Sequence, residues 1–492
     1  MREKIYEKDR SYDFLKIIVD ACIRASYRKI EIHGEENLPT DGSLLLAPNH
    51  CNTLMDALVM LNAYKGTTVF GARADIFNNK FIGKVMTYIR ILPMVRQRDG
   101  LRNVLKNKDT QDTIVETLEN GVRFCMFPEG KHRTKHSLQA LGKGVFRAAL
   151  AANTRFGEEK PIYIIPVGIE YGDYFRYRST HLVTYGTPIN VTEFAKDLDV
   201  ENEVQMIEPL RKELVDRMKD LITYLPDDEK YAEKWVLLKM IAISDERRGY
   251  GCHGTKLYDS MLKNRGIAAD IEAKLEAQPE KMDELLGQAK EFERKRKSAG
   301  ISIYSFRKRN NPVLNTIGKG LAALVGLPYF LYGAVTSLPM WVASEVIRGK
   351  VRDAAFRNTV SFGVKLAMSI VLTPIYAALA FCLAPWWLAL ALMLLWYPSY
   401  GYFYDYIEGC RRWVSDIKLL GNKKLVKKFQ AVVKDLLDNY DQYTEEEKAQ
   451  LKEIFQKAVD LNAVLDKYDI KKKSYWIEFF EAYGQFFNTT IQ

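Results

Sequence analysis

The sequence predicts an α/β domain followed by a helical, partly apolar half, and three observations predict it. From Lys29 to Leu225, short apolar runs bounded by Gly, Pro and Asn alternate with helix-patterned segments, the order expected of a sheet flanked by helices. Beyond Pro226 the chain turns to charged helical pattern as far as Lys297. Gly318 to Val346 and Leu366 to Tyr404 are then almost free of charge, each longer than the ~20 residues that cross a bilayer.

The elements follow in order. Met1 to Arg10 is charged and does not read as a signal peptide. Tyr12 to Tyr27 has the pattern of an amphipathic helix, and two readings stand for it, packing on its own domain or lying on a membrane surface. Strands are expected at Lys29–His33, in the run ending at Ala47, at Thr67–Gly71, Ile89–Val95, Val122–Phe127, Ile162–Ile169 and His181–Tyr185. Helices are expected at Thr53–Tyr64, Asp109–Leu118 and Gly144–Asn153. Residues 1–28 thus form an N-terminal helix, 29–225 the sheet domain, 226–310 a helical connector broken at Gly249–Gly254, 311–410 a membrane region and 411–492 a helical tail. In that tail Thr444-Glu-Glu-Glu447 reads as a capping box, and Tyr475 to Phe487 carries an aromatic stripe suited to packing or to membrane-surface contact.

Composition narrows the class. With 47% hydrophobic and 12% aromatic residues the chain is not disordered. Seventy-two Lys and Arg against 62 Asp and Glu give +10, which suits a phosphorylated small molecule or an acidic membrane. Nucleic acid has only this charge in its favour, without a recognisable module, and is not expected as a partner. Six scattered cysteines, without a C-x-x-C pair, read as reduced thiols in a cytoplasm-facing protein.

The chemistry is placed at Asn49-His50-Cys-Asn-Thr53-Leu-Met-Asp56, where a buried strand ends at Pro48 and a helix begins near Thr53. A histidine on such a loop is accessible and aimed, and a carboxylate at its far nitrogen would fix its tautomer and stabilise the imidazolium. The plainer reading is a capping box, with Asp56 accepting a backbone N–H and His50 an ordinary loop residue. Two further strand-end loops carry cations. One is Pro93-Met-Val-Arg96 and the other Phe127-Pro-Glu129-Gly130-Lys-His132-Arg133, with Lys143 at the next helix start. Arginines and a glycine turn suit a phosphate, although each of these charges can equally be a solvated loop cation. His132 and His136 share a helical spacing but lack a metal-binding motif, so no metal is expected.

These blocks together, Asn49-His50…Asp56, Pro93-Met-Val-Arg96, Phe127-Pro-Glu-Gly130 with Arg133, and Ile165-Pro166-Val-Gly168, resemble the glycerolipid acyltransferase superfamily over roughly the first 225 residues. The resemblance implies that His50 is the general base and Asp56 its orienting carboxylate. It further implies that Arg96 contacts the acceptor phosphate, that Glu129 and Gly130 with Arg133 bind the glycerol phosphate part, and that Pro166 shapes the acyl or acceptor pocket. The family's usual spacing leaves four residues between His and Asp, whereas five intervene here. That longer spacing is similar to the fungal-type branch, which acylates glycerol 3-phosphate or dihydroxyacetone phosphate at the first position.

The expected activity is transfer of a fatty acyl group from acyl-CoA or acyl carrier protein, as co-substrate rather than cofactor, to a phosphorylated glycerol acceptor in phospholipid biosynthesis. The alternatives are a lysolipid acceptor such as 1-acylglycerol 3-phosphate, or a non-catalytic lipid-binding scaffold. A hydrolase lacks a G-x-S-x-G elbow. The chain is expected to be an integral membrane protein with its catalytic domain facing the cytoplasm. Basic residues flank both apolar stretches, which favours two hairpins, the first re-entrant around Pro328 and Pro339 and the second turning at Ala384-Pro385.

Overall fold

The computed structural model describes residues 5–7, 9–64, 66–94, 102–197, 203–244, 256–307 and 311–437. Arg96, the Gly249–Gly254 break, the capping box at Thr444 and the aromatic stripe from Tyr475 lie outside the described residues. The strands are β1 (Tyr27–His33), β2 (Ser43–Pro48), β3 (Thr68–Arg73), β4 (Ile91–Met94), β5 (Arg123–Cys125), β6 (Ile162–Tyr171), β7 (Ser179–Tyr185) and β8 (Ile189–Asn190). They form one eight-stranded sheet in the order β1-β7-β6-β2-β5-β3-β4, with β8 paired to β6. The run from β6 to β4 is parallel. β7 is antiparallel to β6 and parallel to β1. The mixed α/β fold expected from alternating strand and helix signals is present.

Every residue of the central strand β2 is buried, because helices cover both faces of the sheet. That is why Leu44–Ala47 reads as a continuous apolar run instead of an alternating one. The helices of this region are α1 (Arg10–Ser26), α2 (Leu54–Ala63), α3 (Lys80–Tyr88), α4 (Arg102–Glu119), α5 (Gly144–Phe156), α6 (Val191–Asp197) and α7 (Glu203–Lys219). Leu45, Phe124 and Ile164 pack under α4, α5 and α7, while Leu44, Leu46 and Ile165 pack under α1 and α2. The amphipathic α1 buries Ile23 and leaves Phe14 and Ile17 exposed. Helix α3 was not expected from the pattern. It spans only nine residues and is entered through a 3-10 turn at Ala74–Asn78.

The remaining helices are α8 (Tyr231–Ser244), α9 (Leu257–Ala277), α10 (Pro279–Ser298), α11 (Pro312–Gly349), α12 (Ala354–Leu383), α13 (Trp386–Leu420) and α14 (Lys423–Leu437). Two compact units result. The first takes described residues within 1–226, 256–265 and 339–384, and the second takes those within 227–255, 266–338 and 385–492. In the first, Glu31 accepts the N–H groups of Leu257 and Tyr258 at the start of α9. In the second, fully buried Lys234 pairs with Asp228 and Glu272, both at 2.7 Å. Phe292, Phe306 and Phe429 close that unit's aromatic core.

Helices α11 and α12 are each long and apolar enough to cross a membrane. The expected re-entrant hairpin is not formed, because α11 runs unbroken through Pro328 and Pro339 for 38 residues. Within the second unit α11 lies antiparallel to α13. Trp413 and Tyr406 donate to the carbonyls of Thr316 and Ala323, and Tyr332 donates back to that of Leu392. A proline removes one helical hydrogen bond, and a neighbouring helix that supports the freed backbone lets the helix continue. The second apolar stretch divides at Ala384-Pro385 into α12 and α13, at the position expected.

Candidate active site

The loop between β2 and α2 sits at the C-terminal edge of the parallel strands, where open α/β sheets bind ligands. Asn49 starts it. Its amide group accepts from the Ile169 N–H at 2.6 Å and donates to the Ile169 carbonyl at 3.1 Å, so a side chain extends the β2–β6 ladder while the main chain turns away. His50 follows on that turn, with a side-chain exposure of 17%.

Asp56, in the first turn of α2, is completely buried. Its Oδ2 lies 2.8 Å from His50 Nδ1 and accepts the N–H groups of Cys51 and Asn52 at 2.8 and 2.7 Å. Its Oδ1 accepts the Tyr171 hydroxyl at 2.8 Å. The carboxylate thus holds loop N–H groups and the imidazole together. With Nδ1–H donated to Asp56, Nε2 is left as the basic nitrogen.

The capping box itself is absent. Thr53 makes no side-chain cap and adopts φ 50 and ψ −131, a conformation that costs a residue with a Cβ about 1–3 kcal/mol. Burial together with the charge of Asp56 raises the Cys51 thiol well above its ordinary pKa. A thiol so held is a poor nucleophile.

The loop after β5 wraps the histidine from the other side. Phe127 stacks on the His50 ring at 4.3 Å. Glu129 Oε1 accepts the His50 N–H at 3.0 Å, and Oε2 accepts both the N–H and the side-chain amide of Gln139 at 3.2 and 3.0 Å. Burial raises the Glu129 pKa, and these three donors oppose the rise. Gly130 has φ 63 at the turn, a value that suits glycine. The Arg133 N–H returns to the His50 carbonyl at 3.0 Å, and its guanidinium donates to Ser137 Oγ at 2.7 Å. His50 is thus held at its N–H, carbonyl, ring face and ring nitrogen.

The other expected residues are placed as follows. Lys143 is exposed at the N-terminal end of α5, one residue beyond Gly142, whose N–H donates to the Pro128 carbonyl. Pro166 is buried inside β6 opposite Ala47, between the residues that pair with β8 and those that pair with β7, where its missing N–H is tolerated. β4 ends at Met94, and Arg96 lies outside the described residues. His132 and His136 do not converge. His132 Nε2 lies 2.9 Å from Asp353, and His136 faces Glu170 at 3.5 Å.

Sequence reasoning did not foresee the parts of Phe127, Gln139 and Tyr171. Phe127 stood in a recognised block and so could have been asked what it packs on. Tyr171 and Gln139 carry no spacing signal towards the residues they bind.

Residues 29–170 match the Acyltransferase family model. Among solved structures the chain is similar to the crystal structure of the 1-acyl-sn-glycerophosphate (LPA) acyltransferase, PlsC, from Thermotoga maritima. The identity is 18%, the match covers 43% of this chain and 84% of that one, and the TM-score is 0.30. No curated protein matches the chain. The enzyme is an acyltransferase, as its match to that family model shows.

Proposed function

We propose that the protein transfers a fatty acyl group from acyl-CoA or acyl carrier protein to a hydroxyl of glycerol 3-phosphate or dihydroxyacetone phosphate. The observation that carries the reading is the 2.8 Å contact of His50 Nδ1 with the buried Asp56. His50 Nε2 takes the proton as the acceptor oxygen attacks the thioester carbonyl. The tetrahedral intermediate then expels the thiolate, which takes the proton back from the imidazolium, leaving ester and free thiol. The arrangement resembles the His–Asp part of a serine hydrolase with the substrate hydroxyl as nucleophile. No resident metal or cofactor is needed.

Gly130, Arg133, Lys143 and Arg96 supply donors for the acceptor phosphate, and Glu129 fixes the loop that carries two of them. Binding energy at the phosphate is thereby converted into orientation of the hydroxyl beside His50. Pro166 acts from within β6 on the pocket wall. The five-residue spacing between His50 and Asp56 supports an acceptor acylated at the first position. Helices α11 and α12 support an integral membrane protein, and the basic residues around them support a domain facing the cytoplasm.

Acyl transfer by detergent-purified protein tests this, with wild type beside His50→Ala and a labelled acyl thioester offered with glycerol 3-phosphate, dihydroxyacetone phosphate or 1-acylglycerol 3-phosphate. Product from either of the first two acceptors that falls at least 1000-fold in the variant is the expected result. Product from the lysolipid alone would move the protein to the second acylation step, and activity that survives the substitution would remove His50 from the mechanism.

A further inference from the structure

The first turns of α12 lie against the loop that carries His50 and Asp56, although they follow it by some 300 residues of chain. Thr53 Oγ1 is 2.8 Å from Thr359 Oγ1 and 3.3 Å from the Ala355 carbonyl. Asn358 donates to Asn52 Oδ1 at 3.1 Å and to the Tyr174 carbonyl, which Asn52 Nδ2 also reaches at 2.9 Å. Asp353 caps α12 through the N–H groups of Ala355 and Phe356 and meets His132, whose ring stands edge-on to His50 at 5.9 Å. Phe362 is buried in the same cluster as Cys51 and Met55, with Leu366 packed against it. Ala355, Thr359, Phe362 and Leu366 recur at helical spacing and form one docking face. From Ile370 onward most of the large apolar side chains of α12 are exposed, among them Ile370, Val371, Ile375, Leu379 and Phe381.

Thr53 is the residue at which this contact matters. It is held at positive φ between His50 and Asp56, and its hydroxyl is directed to α12 instead of to its own helix. Released, Thr53 would relax to negative φ. Cys51 and Asn52, whose N–H groups hold Asp56 Oδ2, would move with it.

We propose that the start of α12 is a latch that keeps the His50–Asp56 loop in its reactive geometry, with Thr359 and Asn358 as positioning residues. The proposal rests on the reading of His50 as the base. The same helix has its N-terminal third docked on the loop and the rest mostly exposed and apolar, so the latch joins the reacting loop to the part of the protein suited to lipid.

The test uses full-length protein in detergent. Thr359→Val keeps the shape and removes the hydroxyl, and is expected to lower kcat about tenfold while KM for both substrates stays within twofold. Thr359→Ser restores the hydroxyl and is expected to stay within twofold of wild type. Adding Thr53→Gly to Thr359→Val is expected to recover most of the loss, because glycine adopts positive φ without strain. A second readout does not depend on the acceptor. In protein carrying 15N-histidine, the downfield proton on His50 Nδ1, assigned by its absence in His50→Gln, is expected to broaden or move upfield in Thr359→Val. A Thr359→Val protein with wild-type kcat and an unmoved His50 proton would overturn the latch. So would a loss that Thr53→Gly does not relieve, since that marks a merely structural contact. If wild type acylates no acceptor, the proposed activity fails, and the His50 proton still decides the latch.

Discussion

Tyr171, at the end of β6, donates its hydroxyl to Asp56 Oδ1 at 2.8 Å, on the side of the carboxylate opposite His50. Burial and the neighbouring negative charge of Asp56 hold the phenol well above its ordinary pKa, so it remains a donor throughout the working range. The candidate pair is therefore a chain of three side chains, Tyr171, Asp56 and His50. Its far end is seated in a central strand of the sheet.

Removing that hydroxyl leaves a lone pair of a buried carboxylate without its donor. Hydrogen bonds to charged groups contribute about 1.5–3 kcal/mol. Tyr171→Phe is accordingly expected to lower kcat by about tenfold with KM little changed. Steady-state kinetics decide it, and wild-type kcat would show that Asp56 is held by the loop N–H groups alone.

His181 lies behind this chain, completely buried, its ring edge-on to Tyr27 at 4.6 Å. Neither of its ring nitrogens has a hydrogen-bond partner among the described residues, and burial pushes its pKa down to about 3. An unfolded histidine titrates near 6.5, so the unfolded chain takes up a proton that the folded chain refuses. The contribution of a neutral His181 to stability is complete above pH ~6.5 and is lost by about 1.4 kcal/mol per pH unit below it, towards pH 3. His181→Phe is expected to flatten that decline by about 2 kcal/mol between pH 6.5 and 5. Denaturant unfolding of the two proteins at several pH values checks it, and parallel curves would show that His181 is not the acid-sensitive group.

What the sequence made legible follows from how local each signal is. The buried strand β2 and the helix start after it are written in consecutive residues, so His50 and Asp56 could be singled out together. The loop after β5 was legible through Gly130 and its cations. Tyr171 is 115 residues from Asp56 and Thr359 is 306 from Thr53, and no spacing rule connects such pairs. The docking face of α12 did leave a trace, in the helical spacing of Ala355, Thr359, Phe362 and Leu366. The charges around it, Arg352, Arg357 and Lys365, drew the reading to a basic flank instead. Thr53 gave no warning, because a threonine predicts negative φ and only the external contact makes the other value tolerable.

The pairing of α11 with α13 gives the last expectation. Lys319 Nζ and Asp416 Oδ2 are 2.7 Å apart, with side-chain exposures of 3% and 2%. Both charges have lost their water, and their attraction offsets a desolvation cost of several kcal/mol per ion. Lys319→Met alone leaves the carboxylate of Asp416 buried without its cation and is expected to cost about 3–5 kcal/mol. Adding Asp416→Leu removes the orphaned charge, and apolar side chains of similar volume refill the space, so the double variant is expected to recover most of that loss. Thermal unfolding of the detergent-solubilised proteins separates the cases. A double variant no more stable than Lys319→Met would mean that the pair acts through its geometry rather than by cancelling two buried charges.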